Sequence, residues 1–215
     1  MGLIKQGILG GFRKKTGTVV GAYWRRLDVI RALPRNSGKA PTQLQVNQQI
    51  KFGLVTSFLS NFSALIDGGF KTANSLSTPM NLAVSYHLRE AIIGIEPNFE
   101  LDLTKLTFSR GKLEMPLEVN ATLVVGATID LSWPHTEENE KFIDATDIIQ
   151  VLVYNPSKSK FVKVLSGATR ADITYSLQLP ANFVGDEVHI YVAFSSTKKK
   201  MLNSNCTYLG TLTVI

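Results

Sequence analysis

The chain has a single cysteine, Cys206, so an intrachain disulfide is excluded and the fold must rest on buried apolar surface. It also lacks a long hydrophobic run. The longest mostly apolar stretch, residues 54–66, is interrupted by Thr56, Ser57, Ser60, Asn61 and Ser63 and is too short to cross a bilayer. The first residues offer Lys5, then Ile8-Leu9, then Arg13-Lys14-Lys15, without the apolar stretch of about 7–15 residues and the small-residue cleavage site of an export signal. Synthesis in the cytoplasm is therefore expected. Histidine is scarce as well: His87, His135 and His189 stand apart, with no Cys or His at metal-ligand spacing. The acidic run Glu137, Glu138, Glu140, Asp144 and Asp147 lacks the central glycine and alternating oxygens of a calcium loop. Gly10-Gly11-Phe12-Arg13-Lys14-Lys15-Thr16 does not place a lysine between glycine and Ser/Thr as a phosphate loop requires, and Gly-x-Ser-x-Gly is absent. No catalytic residue, cofactor or metal is expected.

Acid is what the first 40 residues lack. They hold nine Lys or Arg against Asp28 alone, a net +8, whereas the other 175 residues carry 14 basic and 16 acidic groups, a net −2. The whole +6 of the chain lies in this glycine-punctuated arm. An asymmetry of this kind speaks to partners rather than fold, and it points to an anionic surface. The candidate contact residues are Arg13, Lys14, Lys15, Tyr23, Trp24, Arg25, Arg26, Arg31 and Arg35. Cations would meet phosphates or carboxylates, and aromatics would stack on bases or pack in interfaces. Glu137, Glu138, Glu140 and Asp144 are the candidate acidic counterpart on a neighbouring copy.

Periodicity separates three regions. Residues 1–40 read as β-structure, with Leu27, Val29, Arg31 and Leu33 on one face of a strand and Arg26, Asp28, Ile30 and Ala32 on the other. Residues 41–96 read as two helices. Thr42 with Gln45 forms a capping box, and Val46, Ile50, Leu54, Phe58 and Phe62 recur every four residues. With Val55, Leu59, Leu65 and Ile66 they make a stripe wider than one surface helix needs, and its extra face is assigned to another subunit. Gly68-Gly69 reads as the helix end, and a second helix runs from Thr78-Pro79 to Gly94.

Residues 97–215 read as all β, with runs at 103–108, 127–133, 147–154, 161–165, 173–179, 188–194 and 208–214 separated by turn residues. Seven strands suit an immunoglobulin-like sandwich, with Trp133 in its core and Tyr191 at the position of a tyrosine corner. The expected architecture is an α+β N-terminal region of basic β-hairpin plus two helices, residues 1–96, followed by an all-β immunoglobulin/fibronectin type III-like sandwich, residues 97–215.

Three groups of residues carry a resemblance: Gly7-Ile8-Leu9-Gly10-Gly11-Phe12 with Lys15-x-Gly17-Thr18-Val19-Val20-Gly21; Arg31-x-Leu33-Pro34-Arg35 leading to Pro41-Thr42-x-x-Gln45; and Asn155-Pro156 with Gly167-Ala168-Thr169-Arg170 and Leu179-Pro180. Over the whole chain they resemble an uncharacterised bacterial family, mostly of Bacteroidota, described as a domain of unknown function. The chain departs from that pattern at Lys14-Lys15, which makes its arm more basic. The resemblance implies no activity, cofactor or catalytic residue. The architecture is similar to that of phage-type structural subunits, by analogy only.

The expected function is therefore a non-enzymatic structural subunit of a multimeric, virion-, tail- or filament-like assembly. Its partners would be copies of itself or other subunits, joined through the arm and the first helix. A nucleic-acid-binding protein using the same arm is the alternative, and a surface adhesion module the third reading.

Overall fold

The computed structural model describes residues 2–3, 12–24, 27–34, 38–71, 77–135 and 142–215. The chain divides into two compact units, Met1–Thr42 and Gln43–Ile215. The expected boundary between residues 96 and 97 is thereby corrected: the helices belong with the sandwich and not with the arm.

The first unit is one antiparallel sheet of β1 (Gly2–Leu3), β2 (Lys14–Thr16), β3 (Val19–Trp24) and β4 (Leu27–Ala32), in the order β1-β4-β3-β2. Gly17, with φ +61°, turns β2 into β3. Residues directly opposite in such a ladder share a face. Pairing of Val20 with Lys15 and Arg31, of Ala22 with Val29 and of Trp24 with Leu27 sets two cations at one end of a face and an aromatic and aliphatic pair at the other. The expected alternation along β4 holds. Gly21 is required by close approach, because a Cβ there would run into the Phe12 carbonyl and ring.

The second unit begins with α1 (Gln43–Ser60), α2 (Ser63–Gly69) and α3 (Pro79–Glu90). The Thr78 hydroxyl accepts the Asn81 N–H at 3.2 Å, and Pro79 occupies the first turn, as expected. The α3 helix ends earlier than Gly94, because β5 (Ile92–Ile95) and β6 (Asn98–Leu101) pair as a hairpin. Gly94, with φ +89°, lies in that hairpin rather than at a helix end. A 3-10 turn at Leu103–Lys105 and an irregular strap over residues 106–113 replace the strand expected at 103–108.

Two antiparallel sheets follow. One holds β7 (Asn120–Val124), β8 (Thr128–Ser132) and β11 (Thr174–Gln178), in the order β11-β8-β7. The other holds β9 (Ile148–Asn155), β10 (Lys160–Val164), β12 (Glu187–Ser195) and β13 (Thr207–Thr213), in the order β10-β9-β12-β13. Ile129 and Leu131 of the first sheet share one buried cluster with Ile149, Val151 and Val153 of β9 and Val188, Ile190, Val192 and Phe194 of β12. Trp133 joins that cluster, its ring edge-on to Phe194 at 5.5 Å and its Nε1–H donating to the Arg170 carbonyl at 2.9 Å.

The opposite face of the four-stranded sheet carries Leu152, Tyr191 and Ala193, which pack with Val55, Leu59, Phe62, Leu65 and Ile66 of the helical segment in a second cluster. The sheet is therefore covered on both faces, which is why β9 and β12 read as continuous apolar runs. Each fully buried Val, Leu, Ile or Phe contributes about 1.5–3 kcal/mol. Tyr191 forms no tyrosine corner. Its side chain lies on the helix-facing side, where the hydroxyl donates to the Leu103 carbonyl at 2.7 Å.

The α2 helix is fastened at its C-terminus. The Asn203 amide donates to the Gly68 carbonyl at 2.8 Å and the Arg110 N–H to that of Gly69 at 3.1 Å, satisfying carbonyls that a helix end leaves open. Gly68-Gly69 thus works otherwise than as a C′ glycine: a Cβ on Gly69 would collide with the backbone of Phe108 and Ser109.

Candidate interaction surfaces

Of the arm residues singled out in the sequence, Arg13, Lys14, Lys15, Tyr23, Trp24 and Arg31 are described, while Arg25, Arg26 and Arg35 lie outside the described residues. The Arg13 guanidinium sits 5.1 Å from the centroid of the Tyr23 ring. Tyr23 is 52 % exposed, Trp24 42 % and Leu27 44 %. Among the described residues of this unit Val29 is the one buried hydrophobic side chain of its sheet, and neither core cluster takes a residue from it. A sheet needs a packed apolar face for independent stability. Chemically, these strands offer cations, aromatic rings and aliphatic side chains at one surface.

The acidic counterpart fares differently. Glu137, Glu138 and Glu140 lie outside the described residues. Asp144 is engaged within its own chain. Its carboxylate lies 2.6 Å from Lys198 Nζ and accepts from the Thr146 N–H at 2.9 Å and hydroxyl at 2.7 Å. The Lys198 bond foremost, with those from Thr146, holds its carboxyl down to about 2. Lys198 and Asp144 thus neutralise each other within one chain.

Of the expected stripe on α1, Val55 and Leu59 are buried, together with the polar Asn47. Phe58 packs edge-on against Tyr154 at 5.2 Å and Phe161 at 5.3 Å, so part of the extra width is used within the chain. The remainder is not: Leu44 is 82 % and Phe52 52 % exposed. Phe52 also lines a groove of about 450 Å³ between α1 and α3, with Met80, Val84 and Leu88 as its other apolar walls.

The histidines are placed as follows. His87 is buried in α3, its ring edge-on to Tyr86 at 5.2 Å. His189 sits on β12 with its Nδ1 2.8 Å from the Tyr208 hydroxyl. His135 has no element around it. Among the described residues no group of three or more His, Cys, Asp or Glu is arranged to hold a metal ion. No helix of the described residues is long and apolar enough to cross a membrane.

A buried ion pair went unread in the sequence. Arg170 Nε lies 3.3 Å from Asp147 Oδ2, both side chains being essentially inaccessible. The guanidinium stacks over the Phe194 ring at 4.6 Å and donates from Nη2 to the Glu114 carbonyl at 2.7 Å. In the sequence Asp147 is one member of an acidic run, and its partner stands 23 residues away.

No curated protein matches the chain. Among solved structures, the fn3 domain of human contactin 1, determined in solution, is 16 % identical, with a TM-score of 0.32, covering 50 % of this chain and 83 % of that one. A model for a family of unknown function, DUF6266, matches residues 11–210, and the chain belongs to that family.

Proposed function

We propose that this chain is a non-enzymatic structural subunit of a multimeric assembly, such as a virion, tail-like or filament particle, joined to its neighbours through the N-terminal sheet and α1. The observation that carries this reading is the sheet of the first unit, which presents Trp24 and Leu27 to solvent on one face and Tyr23 on the other and, among its described residues, buries one hydrophobic side chain. A surface of that kind gains most by being covered. The exposed Leu44 and Phe52 extend the same argument to α1. The proposal includes the bacterial, Bacteroidota setting of the family and an immunoglobulin/fibronectin type III-type layout for the sandwich. The three-plus-four strand order, with a hairpin edge strand β10 beside β9, supports that layout.

Light scattering after size exclusion tests it. The full chain is expected as a multimer at micromolar concentration, and deletion of residues 1–39 or Phe52→Glu should lower its mass toward 23.7 kDa or the shortened equivalent. A full chain that stays monomeric at high concentration would sink the proposal.

A second reading rests on the row of Lys15, Val20 and Arg31 and on Trp24 farther along the same face, which suits a phosphate backbone with a stacked base. It requires an affinity for DNA or RNA that falls steeply with salt and weakens on neutralising Arg13, Lys14 and Lys15.

A further inference from the structure

We propose that the polar cavity between α3, the strap and β13 binds a small molecule bearing a carboxylate or phosphate group, with Arg110 and Lys105 as its anchors. None of its lining residues belongs to the arm or to α1, and the inference does not depend on that reading.

The cavity measures about 260 Å³ and is lined by Tyr86 of α3, by Thr104, Lys105 and Arg110, and by Asn205 and Tyr208. Drug-sized ligands occupy roughly 300–1,000 Å³, so the size fits a smaller molecule. Its walls differ in kind from those of the α1–α3 groove, which are largely aliphatic. Here they are hydroxyls, amides, two tyrosines and two cations.

The two cations are unequal. Lys105 Nζ lies 3.8 Å from Asp102, a carboxylate that also accepts the Thr104 N–H at 3.0 Å and hydroxyl at 2.6 Å. Its charge is thereby partly met within the chain. Arg110 has no carboxylate within ion-pair distance among the described residues, and its guanidinium rests over the Tyr86 ring, 4.7 Å from the centroid. Its backbone is tied to Gly69 by the 3.1 Å bond described above. A guanidinium laid on a ring keeps its N–H edges for in-plane acceptors, and that fork matches a planar carboxylate or a phosphate bidentately.

No further negative charge arises from the walls. Burial pushes the Cys206 thiol up to about 12, so it stays neutral at physiological pH. The Tyr208 hydroxyl is held by His189 at 2.8 Å and its pKa is raised, first by burial and then by Glu187 and Asp102. The walls thus carry two cations and no carboxylate of their own, Asp102 standing beside Lys105 outside the lining, and a compact oxyanion supplies the missing charge.

The test is an amide ¹H–¹⁵N NMR titration of the full chain with sodium benzoate and, separately, sodium phosphate, each against sodium chloride at matched ionic strength. The expected result is a saturable shift of the amides of residues 104–111 and of the Arg110 Nε–H, with either probe. Arg110→Gln should weaken binding at least about tenfold, the equivalent of one charge-assisted hydrogen bond. Lys105→Gln should weaken it less. Both side chains are exposed, so the variants are expected to fold, and their spectra report directly whether they do. Saturation by one probe alone keeps the site and fixes its class. Shifts that follow chloride, that are confined to the basic arm, or that persist unchanged in Arg110→Gln overturn the proposal.

Discussion

His87 shows how little a lone titratable residue reveals until its neighbours are known. In the sequence it is a mid-helix histidine beside Tyr86. In the fold both ring nitrogens are used: Nδ1 lies 2.7 Å from the Ala83 carbonyl, and the Thr107 N–H donates to Nε2 at 3.2 Å. A carbonyl only accepts, so Nδ1 carries the proton and the ring is fixed as the neutral Nδ1–H tautomer. Burial lowers its pKa, and the Ala83 bond opposes that only in part. As pH falls the unfolded chain takes up this proton first, so the contribution of His87 is complete above about pH 6.5 and is lost below it. Urea unfolding between pH 7.5 and 5 should show stability declining below about pH 6.5, by at most about 1.4 kcal/mol per pH unit for one group. His189, also lowered by burial, adds a smaller share from its more exposed place. The carboxyls of Asp102, Asp144, Asp172 and Asp186 are all held below their usual range and act only at lower pH. His87→Gln should be less stable at pH 7.5 and should flatten the slope. A variant with the slope of the parent chain would refute the assignment of that slope to His87.

At the scale of elements, the sequence showed best what one face or one period determines. The starts of α1 and α3, the β4 alternation and six of the seven expected sandwich strands coincide with apolar or β-rich runs bounded by turn residues, whereas the first expected helix is broken into α1 and α2 and the second ends at Glu90. What it missed was decided by tertiary pairing. The short β7 strand depends on β8 for its ladder, and the β5–β6 hairpin continues the apolar pattern of α3 without a break. The Gly68-Gly69 pair makes the difference testable. A helix-ending glycine tolerates alanine unless its φ is positive, whereas Gly69 has the Ser109 Cα and Cβ each 2.7 Å from where a Cβ would stand, besides the Phe108 carbonyl. Because those atoms belong to the strap and cannot turn aside as a flexible side chain would, Gly69→Ala should cost about 1–3 kcal/mol. Gly53, within α1 and with nothing inside 4 Å of its would-be Cβ, is the control. Gly53→Ala should stabilise by about 0.5–1 kcal/mol through helix propensity. Equal effects of the two substitutions in thermal or urea unfolding would show that the close approach at Gly69 is wrong.

For the whole molecule, the charge asymmetry and the compact units fall at nearly the same place. The basic arm ends near residue 40, and the first unit ends at Thr42. Charge made that boundary legible. The attachment of the helices to the sandwich was not, since the apolar face of β9 that receives them alternates with the face that fills the sandwich core. A run such as Ile148-Ile149-Gln150-Val151-Leu152-Val153 records burial on both sides without naming either cover. Both core clusters lie wholly within Gln43–Ile215, as does the buried Asp147–Arg170 pair. A fragment of residues 43–215 should therefore unfold cooperatively, within a few degrees of the full chain. A peptide of residues 1–42 is near the size at which domains usually need disulfides, metals or oligomerisation to fold alone, and it should give no cooperative transition when dilute. If the first unit is ordered by neighbouring copies, raising the concentration of the full chain should add a second, concentration-dependent transition absent from the fragment. Calorimetry at two concentrations reads both. A fragment 43–215 that fails to fold would place essential core contacts in the arm and overturn the division into two units.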